Sequence, residues 1–217
     1  MIRAVFWDFG GVLTTSPFDA FRRFERENGL PRDFIRTVNA TNPESNAWAQ
    51  FESSRIDLDE FDRRFEEESR AAGHPVRGRR VIELLGGDLR VEMVAALRRI
   101  ASRFTNACLT NNVLAGEGPG MQGSPEKAAA VAEVMRLFDV VIESSRIGVR
   151  KPEPRFYEIA CESAGVAPEQ VVFLDDLGIN LKPARAMGMA TIKVADPDAA
   201  LAELEQVLGM TLREPVS

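Results

Sequence analysis

Towards its carboxyl end the chain reads Val171-Val172-Phe173-Leu174-Asp175-Asp176, four apolar residues followed at once by two acids. A short run that is apolar without alternation is typical of a parallel strand buried on both faces. Runs of the same kind occur at residues 4–7, 107–109, 140–142 and 191–194. The pattern therefore predicts the strands of a parallel sheet.

Helical patterns fill most intervals between these runs. Apolar residues recur at helical spacing, with Pro or Asp near the start, in residues 91–102, 125–137, 154–164, 179–187 and 198–208. Strands that alternate with helices predict a doubly wound α/β sheet. Residues 17–87 break the alternation because they contain helical patterns without a strand. We expect this insertion to form a helical cap beside the carboxyl ends of the strands, where open α/β sheets bind ligands.

The composition is that of one globular unit with an insertion. The chain has 217 residues, of which 45% are hydrophobic and 28% are charged, so it can form a core and lacks the bias of a disordered chain. We place the sheet domain at residues 1–16 and 88–217 and the cap at residues 17–87. The cap aromatics recur at helical spacing, so we expect them to form the core of the cap.

Charge and hydropathy exclude several classes of protein. A formal net charge of -6 argues against binding nucleic acid or an anionic membrane by broad phosphate neutralisation. No apolar stretch reaches the roughly 18–20 residues that span a bilayer, and the first residues lack the pattern of a secretory signal. We therefore expect a cytoplasmic monomer or homodimer with no nucleic-acid or membrane partner.

The residue types also limit the chemistry. One histidine and two cysteines are too few for most Ser-His mechanisms, multi-His metal sites or a cysteine-based zinc site. The glycine-rich segment 116–123 lacks the Lys-Ser/Thr pair of a P-loop, so we expect a connection there. Carboxylates, hydroxyls, Lys and Arg must then carry any reaction.

Polar residues follow four of the predicted strands where each strand ends. Because the carboxyl ends of parallel strands lie along one edge of a sheet, these side chains are expected to converge there. They are Asp8; Thr110 with Asn111 and Asn112; Glu143 with Ser144 and Ser145; and Asp175 with Asp176. The two adjacent acids would repel each other unless a cation offsets their charge, and Mg²⁺ prefers such oxygen ligands. An acidic turn that caps the next helix is the alternative interpretation.

Lys151 is one of four lysines in a chain whose other basic residues are arginines. It follows Gly148-Val149-Arg150 and precedes Pro152. A compact ammonium group can contact a carboxylate and a phosphoryl group together, whereas a guanidinium presents a wide fork. We therefore include Lys151 in the candidate site; a solvated lysine at the start of a helix is the alternative.

Four segments carry a resemblance to a known family. In chain order they are Asp8-Phe9-Gly10-Gly11-Val12-Leu13, Leu109-Thr110-Asn111, Lys151-Pro152 and Phe173-Leu174-Asp175-Asp176. Their order and spacing resemble the four motifs of the haloacid dehalogenase-like hydrolase superfamily, over nearly the whole chain. Within that superfamily, residues 142–154 and 172–185 are similar to the N-terminal phosphatase domain of soluble epoxide hydrolase.

The resemblance implies a Rossmann-like core with an inserted α-helical cap, and a phosphatase mechanism. Asp8 would be the nucleophile and would attack phosphorus to form an aspartyl-phosphate. Thr110 and the backbone of Asn111 would hydrogen-bond the phosphoryl oxygens. Lys151 would hold Asp8 and offset the negative charge that grows on the phosphoryl group. The expected substrate is a small phosphorylated metabolite.

The resemblance also implies a magnesium site. Mg²⁺ would be bound by Asp8, Asp175 and the backbone carbonyl of Gly10, with Asp176 and Asn180 completing and supporting the metal site.

Gly10 departs from the pattern of the family's phosphatases. They usually carry a second Asp two residues after the nucleophile, as general acid for the leaving group and base for the attacking water. Loss of such proton transfer typically costs about 10²–10⁴-fold in rate, most of all with poor leaving groups. We therefore expect slow hydrolysis of alkyl phosphates and better turnover of aryl or acyl phosphates.

Two other functions compete with the phosphatase. Metal-independent dehalogenases of the superfamily also lack the second Asp, although the paired acids Asp175 and Asp176 would oppose an anionic substrate there. A binding module that keeps the fold, the metal and the phosphoryl pocket with negligible turnover is the second alternative. Specificity would come from the cap, where Asn46, Trp48, Arg55 and residues 77–80 are candidates.

Overall fold

The computed structural model describes residues 1–112 and 125–212, so the glycine-rich segment 116–123 lies outside the described residues. It contains a five-stranded parallel sheet in the order β3-β2-β1-β4-β5. The strands are β1 (Ala4–Trp7), β2 (Thr105–Thr110), β3 (Val140–Glu143), β4 (Val171–Asp175) and β5 (Ala190–Lys193). The doubly wound α/β fold predicted from the apolar runs is confirmed.

The described residues also form eleven α-helices. They are α1 (Pro17–Glu27), α2 (Phe34–Ala40), α3 (Ala47–Glu52), α4 (Leu58–Ala71), α5 (Gly78–Ile82), α6 (Val91–Ile100), α7 (Pro125–Met135), α8 (Ser144–Ile147), α9 (Pro154–Ala164), α10 (Gly178–Ala186) and α11 (Pro197–Leu208). Helices α1 to α5 precede the second strand, in the segment predicted as a cap. Helix α6 lies between this segment and β2, and the described helices α7 to α11 follow β2. Helices α6, α7, α9, α10 and α11 pack on the sheet.

Strand β1 lies in the middle of the sheet, and every one of its residues is fully buried. Val5 and Trp7 pack on one face against α6, α7 and α11, whereas Ala4 and Phe6 pack on the other against α9 and α10. Burial on both faces explains why this strand is continuously apolar in sequence. It also places the residue after the strand, Asp8, at the centre of the carboxyl edge.

The cap has a hydrophobic core of its own, as its helical spacing predicts. The ring of Phe61 stacks on Phe51 with centroids 4.5 Å apart and meets the edge of Trp48. Asn46 and Asp57 cap α3 and α4 by accepting hydrogen bonds from the backbone N–H groups of Ala49 and Glu60, both at 2.8 Å.

The chain enters and leaves the cap at one place. Thr14 and Leu89 form an antiparallel bridge, and the N–H of Thr15 donates to the carbonyl of Asp88 at 2.8 Å. Because these connections begin directly after the Phe9–Leu13 turn, the cap is anchored next to Asp8. Among the residues the structure describes, no helix is long and apolar enough to cross a membrane.

Candidate active site

Asp8 is held at the end of β1 by both its backbone and its side chain. Its N–H donates to the carbonyl of Leu174 at 2.8 Å, and its Oδ1 accepts the N–H of Phe9 at 2.7 Å. The side chain is 11% exposed and lines a cavity between the sheet and the cap. A carboxylate fixed in this way is presented to a ligand without rotational freedom.

Lys151 links the carboxylates of two strand ends. Its Nζ lies 2.9 Å from Asp8 Oδ1 and 2.7 Å from Asp175 Oδ2, and its side chain is 1% exposed. Burial alone would lower the pKa of Lys151, but the carboxylates of Asp175 and Asp8 raise it above its ordinary value. Lys151 is therefore a buried cation of the site, and its interpretation as a solvated lysine is wrong.

Asp175 is fully buried, and donors occupy both of its oxygens. Oδ1 accepts the N–H of Leu177 at 2.8 Å, Oδ2 accepts Lys151, and Nδ2 of Asn180 lies 3.0 Å from each oxygen. The hydroxyl of Tyr157 donates to the carbonyl of Asn180 at 2.6 Å and holds the start of α10 in place. This network orients the residues around Asp176.

Asp176 completes a cluster of three acids. One carboxylate oxygen from each of Asp8, Asp175 and Asp176 lies within 4.8 Å of the others. Ser16, at the entrance to the cap, donates to Asp176 Oδ2 at 3.4 Å. A set of three carboxylates with one lysine keeps excess negative charge, and hard oxygen donors at this spacing fit a divalent cation such as Mg²⁺.

The acids repel one another in the absence of such a cation. Burial raises the pKa of Asp8 well above its ordinary value, and Asp175 and Asp176 add to the rise against the attraction of Lys151. Burial, followed by the neighbouring charge of Asp175, raises the pKa of Asp176 to about 6. A cation bound here would oppose both effects.

Strand β2 supplies the other side of the site. Thr110 is buried at its end and lines the cavity beside Asp8. The side chain of Asn111 accepts the N–H of Lys151 at 2.9 Å and donates to its carbonyl at 3.0 Å. Asn111 thus fixes the backbone of the Lys151 loop and leaves its own N–H group as a candidate ligand for a phosphoryl oxygen.

The cavity between the cap and the sheet has a volume of about 950 Å³. Its floor is formed by the strand-end residues, and Phe18, Phe21, Trp48 and Leu85 of the cap contribute apolar walls. A phosphoryl group at Asp8 would fill a small part of this space. The cap aromatics that line it belong to the cap core as well.

A family model described as a haloacid dehalogenase-like hydrolase matches residues 2–188. The chain belongs to this hydrolase family.

Relatives and solved structures agree with the family. The chain is 34% identical to bifunctional epoxide hydrolase 2 of Sus scrofa over 97% of its own length, but it spans 40% of that relative. It is 31% identical to a phosphatase of Mycobacterium tuberculosis, over 87% of this chain and 85% of the relative. Its fold matches a haloacid dehalogenase family enzyme of Bacteroides thetaiotaomicron, solved with magnesium and inorganic phosphate, with a TM-score of 0.59 at 20% identity, covering 89% and 94% of the two chains.

The structure of this haloacid dehalogenase-like hydrolase brings most of the predicted site residues together. Those that line the cavity are Asp8, Gly10, Thr110, Asn111, Asn112, Lys151, Asp176 and Asn180, and Asp175 is hydrogen-bonded to Asn180. The third predicted group, at the end of β3, does not reach the cavity. Glu143 and Ser145 instead hold the side chain of Asn112, at 2.8 and 2.7 Å.

Only some of the cap residues predicted to set specificity line the cavity. Trp48 and Arg55 line the cavity. Asn46 is the buried N-cap of α3, which is a structural role. Arginines of residues 77–80 pair with Asp62, Asp59 and Glu83 on the cap and do not line the cavity.

Sequence reasoning missed several charged residues of this hydrolase that line the cavity, and two of them form an ion pair. Glu52 at the end of α3 is buried, and its Oε2 lies 2.7 Å from Nη2 of Arg150. Arg150 directly precedes Lys151 in the sequence, and this position next to a predicted site residue could have indicated it. Glu52 had no comparable signal because it stands at the polar end of an amphipathic cap helix.

Proposed function

We propose that this chain is a Mg²⁺-dependent phosphatase that hydrolyses phosphomonoesters through an aspartyl-phosphate on Asp8. The observation that carries the proposal is the contact of Lys151 with Asp8 and Asp175 inside a cluster of three carboxylates. One ammonium leaves that cluster net negative, so an anionic phosphoryl group needs a further cation beside it. The phosphatase of Mycobacterium tuberculosis, one of the relatives, supports the same reaction class.

Each step is assigned to a group of this chain. A carboxylate oxygen of Asp8 attacks phosphorus, an O–P bond forms to Asp8, and the ester O–P bond breaks. The leaving alkoxide takes its proton from solvent water, because Gly10 supplies no acid. Lys151, Thr110 and the N–H of Asn111 stabilise the charge on the phosphoryl oxygens. Water then attacks phosphorus and gives its proton to solvent, the O–P bond to Asp8 breaks, phosphate leaves, and the carboxylate of Asp8 is restored.

The resemblance implied Asp8, Asp175 and the carbonyl of Gly10 as ligands of the metal. We propose that Asp176 takes the place of Asp175, beside Asp8 and Gly10, in binding the metal. Asp175 would support it, because Lys151, Asn180 and Leu177 already occupy the oxygens of Asp175. Bound Mg²⁺ supplies charge neutralisation at the phosphoryl group. A cytoplasmic location and a small phosphorylated metabolite as substrate remain parts of this proposal.

The test is hydrolysis of p-nitrophenyl phosphate and acetyl phosphate by the purified protein, with Mg²⁺ and with EDTA. Turnover is expected with Mg²⁺, to be lost with EDTA, and to fall to background in Asp8→Asn, since the amide lacks the nucleophilic charge. An alkyl phosphate and a phosphate with a bulky apolar group extend the panel, because the cavity walls are apolar. A rate that survives Asp8→Asn belongs to a contaminant and contradicts the proposal.

Gly10 favours a second candidate, a metal-independent dehalogenase in which Asp8 displaces halide. If neither activated phosphate is hydrolysed, release of chloride from 2-chloropropionate without metal would support that function. Failure of both assays, with Mg²⁺-dependent binding of inorganic phosphate, would support a binding module.

A further inference from the structure

A buried ion pair joins the cap to the sheet domain above the site. Glu52 is the last residue of α3, and Arg150 lies in the loop before α9. Their Oε2 and Nη2 atoms are 2.7 Å apart, and the side chains are 8% and 18% exposed. Nη1 of Arg150 donates to the carbonyl of Pro43 at 2.9 Å, so two points of the cap hold one guanidinium of the sheet domain.

Glu52 is bonded to both loops that would carry the phosphoryl group. Its Oε2 accepts Nδ2 of Asn111 at 3.4 Å, besides Arg150. Asn111 in turn bonds the N–H and the carbonyl of Lys151. A cap carboxylate therefore contacts the residue after Thr110 and the residue before Lys151.

The second oxygen of Glu52 has a partner within the cap. Nε1 of Trp48 donates to Oε1 at 2.8 Å. Since donors occupy both oxygens, the carboxylate is fixed in orientation. A carboxylate with donors on both oxygens can hold neighbouring residues in position. The same hydrogen bonds oppose a role for Glu52 as a proton donor to the substrate.

We propose that Glu52 and Arg150 form a latch through which the closed cap positions Asn111 and Lys151 for phosphoryl transfer. The inference rests on the proposed function, because the positioned groups are those of the phosphatase. A buried ion pair suits a contact that must open and close. When the cap lifts, both charges regain water together, and neither is left buried without its partner.

In this proposal Glu52 is a positioning residue. It does not replace the acid–base Asp that is absent at residue 10. The two roles predict different effects on the rate when Glu52 is replaced, according to the leaving group of the substrate. An acid matters most for alkyl phosphates, whose leaving oxygen needs a proton, and little for p-nitrophenyl phosphate. A positioning residue affects both substrates alike.

The experiment is a double-mutant cycle with Glu52→Gln, Arg150→Met and the double variant. Glu83→Gln is the matched control, because Glu83 makes an exposed ion pair with Arg80 at 2.6 Å in the same cap. We measure kcat and KM on p-nitrophenyl phosphate and on an alkyl phosphate, together with inhibition by vanadate. If Arg150→Met yields little folded protein, Arg150→Gln takes its place, because it also removes the charge.

Each single variant is expected to lower kcat by about 10-fold on both substrates and to weaken vanadate inhibition by a similar factor, with a smaller change in KM. The double variant should be no worse than the poorer single variant, since each removes the same contact. The control should match the wild type. Losses that multiply in the double variant, or a loss confined to the alkyl phosphate, would overturn the latch.

A readout without turnover separates this inference from the proposed function. Trp48 shares a hydrogen bond with Glu52, so its emission is expected to shift in Glu52→Gln and Arg150→Met, with Trp48→Phe identifying its contribution. If the wild type hydrolyses nothing, the proposed function fails, but this shift and weaker binding of vanadate by calorimetry still support the latch. Unchanged emission in both variants would overturn it.

Discussion

Gly10 occupies the position where the resemblance to the family's phosphatases implied an acid–base Asp. Its backbone is extended, with φ -70° and ψ 126°, a conformation open to any L-residue. A Cβ built on Gly10 meets no atom within 4 Å. The geometry of the turn therefore does not require glycine at this position, and a side chain can be added without strain.

Gly10→Asp is accordingly expected to raise kcat on alkyl phosphates by about 10–100-fold, because it restores proton transfer to the leaving group. The effect on acetyl phosphate should be small, since its leaving group needs no proton. Steady-state rates on both substrates measure the difference. Gly10→Asn is the control of equal size, and an equal gain in that variant would contradict the explanation.

Asn111 shows how one side chain can serve the site without touching substrate. Its amide spans the N–H and the carbonyl of Lys151, and Asn111 lines the cavity beside Thr110. Residue type and spacing pointed to Asn111, but the division between its backbone and its side chain depends on the fold.

The turn Phe9–Leu13 contains two glycines, and only one of them is required by the geometry of the turn. Gly11 adopts φ +80°, in the left-handed region, and a Cβ there would collide with the carboxylate of Asp176. Gly10, one residue earlier, has open space. The turn thus brings the end of β1 close to the end of β4, and glycine at residue 11 permits the approach.

Gly11→Ala is expected to lower the free energy of unfolding by about 1–3 kcal/mol and to weaken the response to Mg²⁺, because it strains the turn and displaces Asp176. Gly10→Ala, the matched variant, should change stability by less than about 0.5 kcal/mol. Denaturant unfolding with and without Mg²⁺ measures both effects. Equal losses in the two variants would be inconsistent with the collision.

Aromatic packing holds the helices of the cap together. Phe61 is fully buried and contacts Phe51, Trp48 and Phe65 at centroid distances of 4.5, 5.8 and 5.5 Å. This packing keeps α3 and α4 in register, and α3 carries Glu52 to the sheet domain. Cap stability and the site are therefore coupled through a few rings.

Phe61→Ala is expected to cost about 3–5 kcal/mol, because it removes a ring and leaves a cavity in the cap core. Urea unfolding followed by tryptophan emission measures the loss. Val91→Ala, at a residue 79% exposed, is the control and should change stability by less than about 0.5 kcal/mol. A loss below about 1 kcal/mol for Phe61→Ala would show that the cap does not depend on this cluster.

At the scale of the whole molecule, the sheet concentrates negative charge from distant parts of the chain. Asp8 follows β1, Asp175 is the last residue of β4, and Asp176 comes next; Lys151 lies between Asp8 and Asp175. The raised pKa values of Asp8 and Asp176 mean that the native state holds these protons more tightly than the unfolded chain does. Without metal, these two groups therefore reduce stability as the pH rises from about 4 through their raised pKa values.

Mg²⁺ is expected to raise the melting temperature at pH 7.5, where the acids are ionised, and to raise it less at pH 5, where Asp176 with a pKa of about 6 is largely protonated. At about 100 times its Kd the ion should add about 2.7 kcal/mol. Thermal unfolding with Mg²⁺ and with EDTA at the two pH values checks the sign. Asp176→Asn should be more stable without metal and respond less to it; a larger response at pH 5 would refute the charge argument.

The fold and the centre of the site could be predicted from the sequence because both depend on local pattern. Parallel strands buried on both faces must be continuously apolar, so their ends are visible as the first polar residues after each run. Asp8, Thr110 and Asp175 were found in this way, and the parallel arrangement then required them to share an edge.

Contacts between side chains on separate elements were decided by tertiary structure. Glu143 is the last residue of its strand, as Asp175 is, yet it bonds Asn112 and does not line the cavity. Glu52 has the sequence context of a solvated helix end, yet it is buried against Arg150. Periodicity records which face of an element is buried, but the partner of a polar side chain depends on how the cap and the sheet pack together, and no local pattern encodes that arrangement.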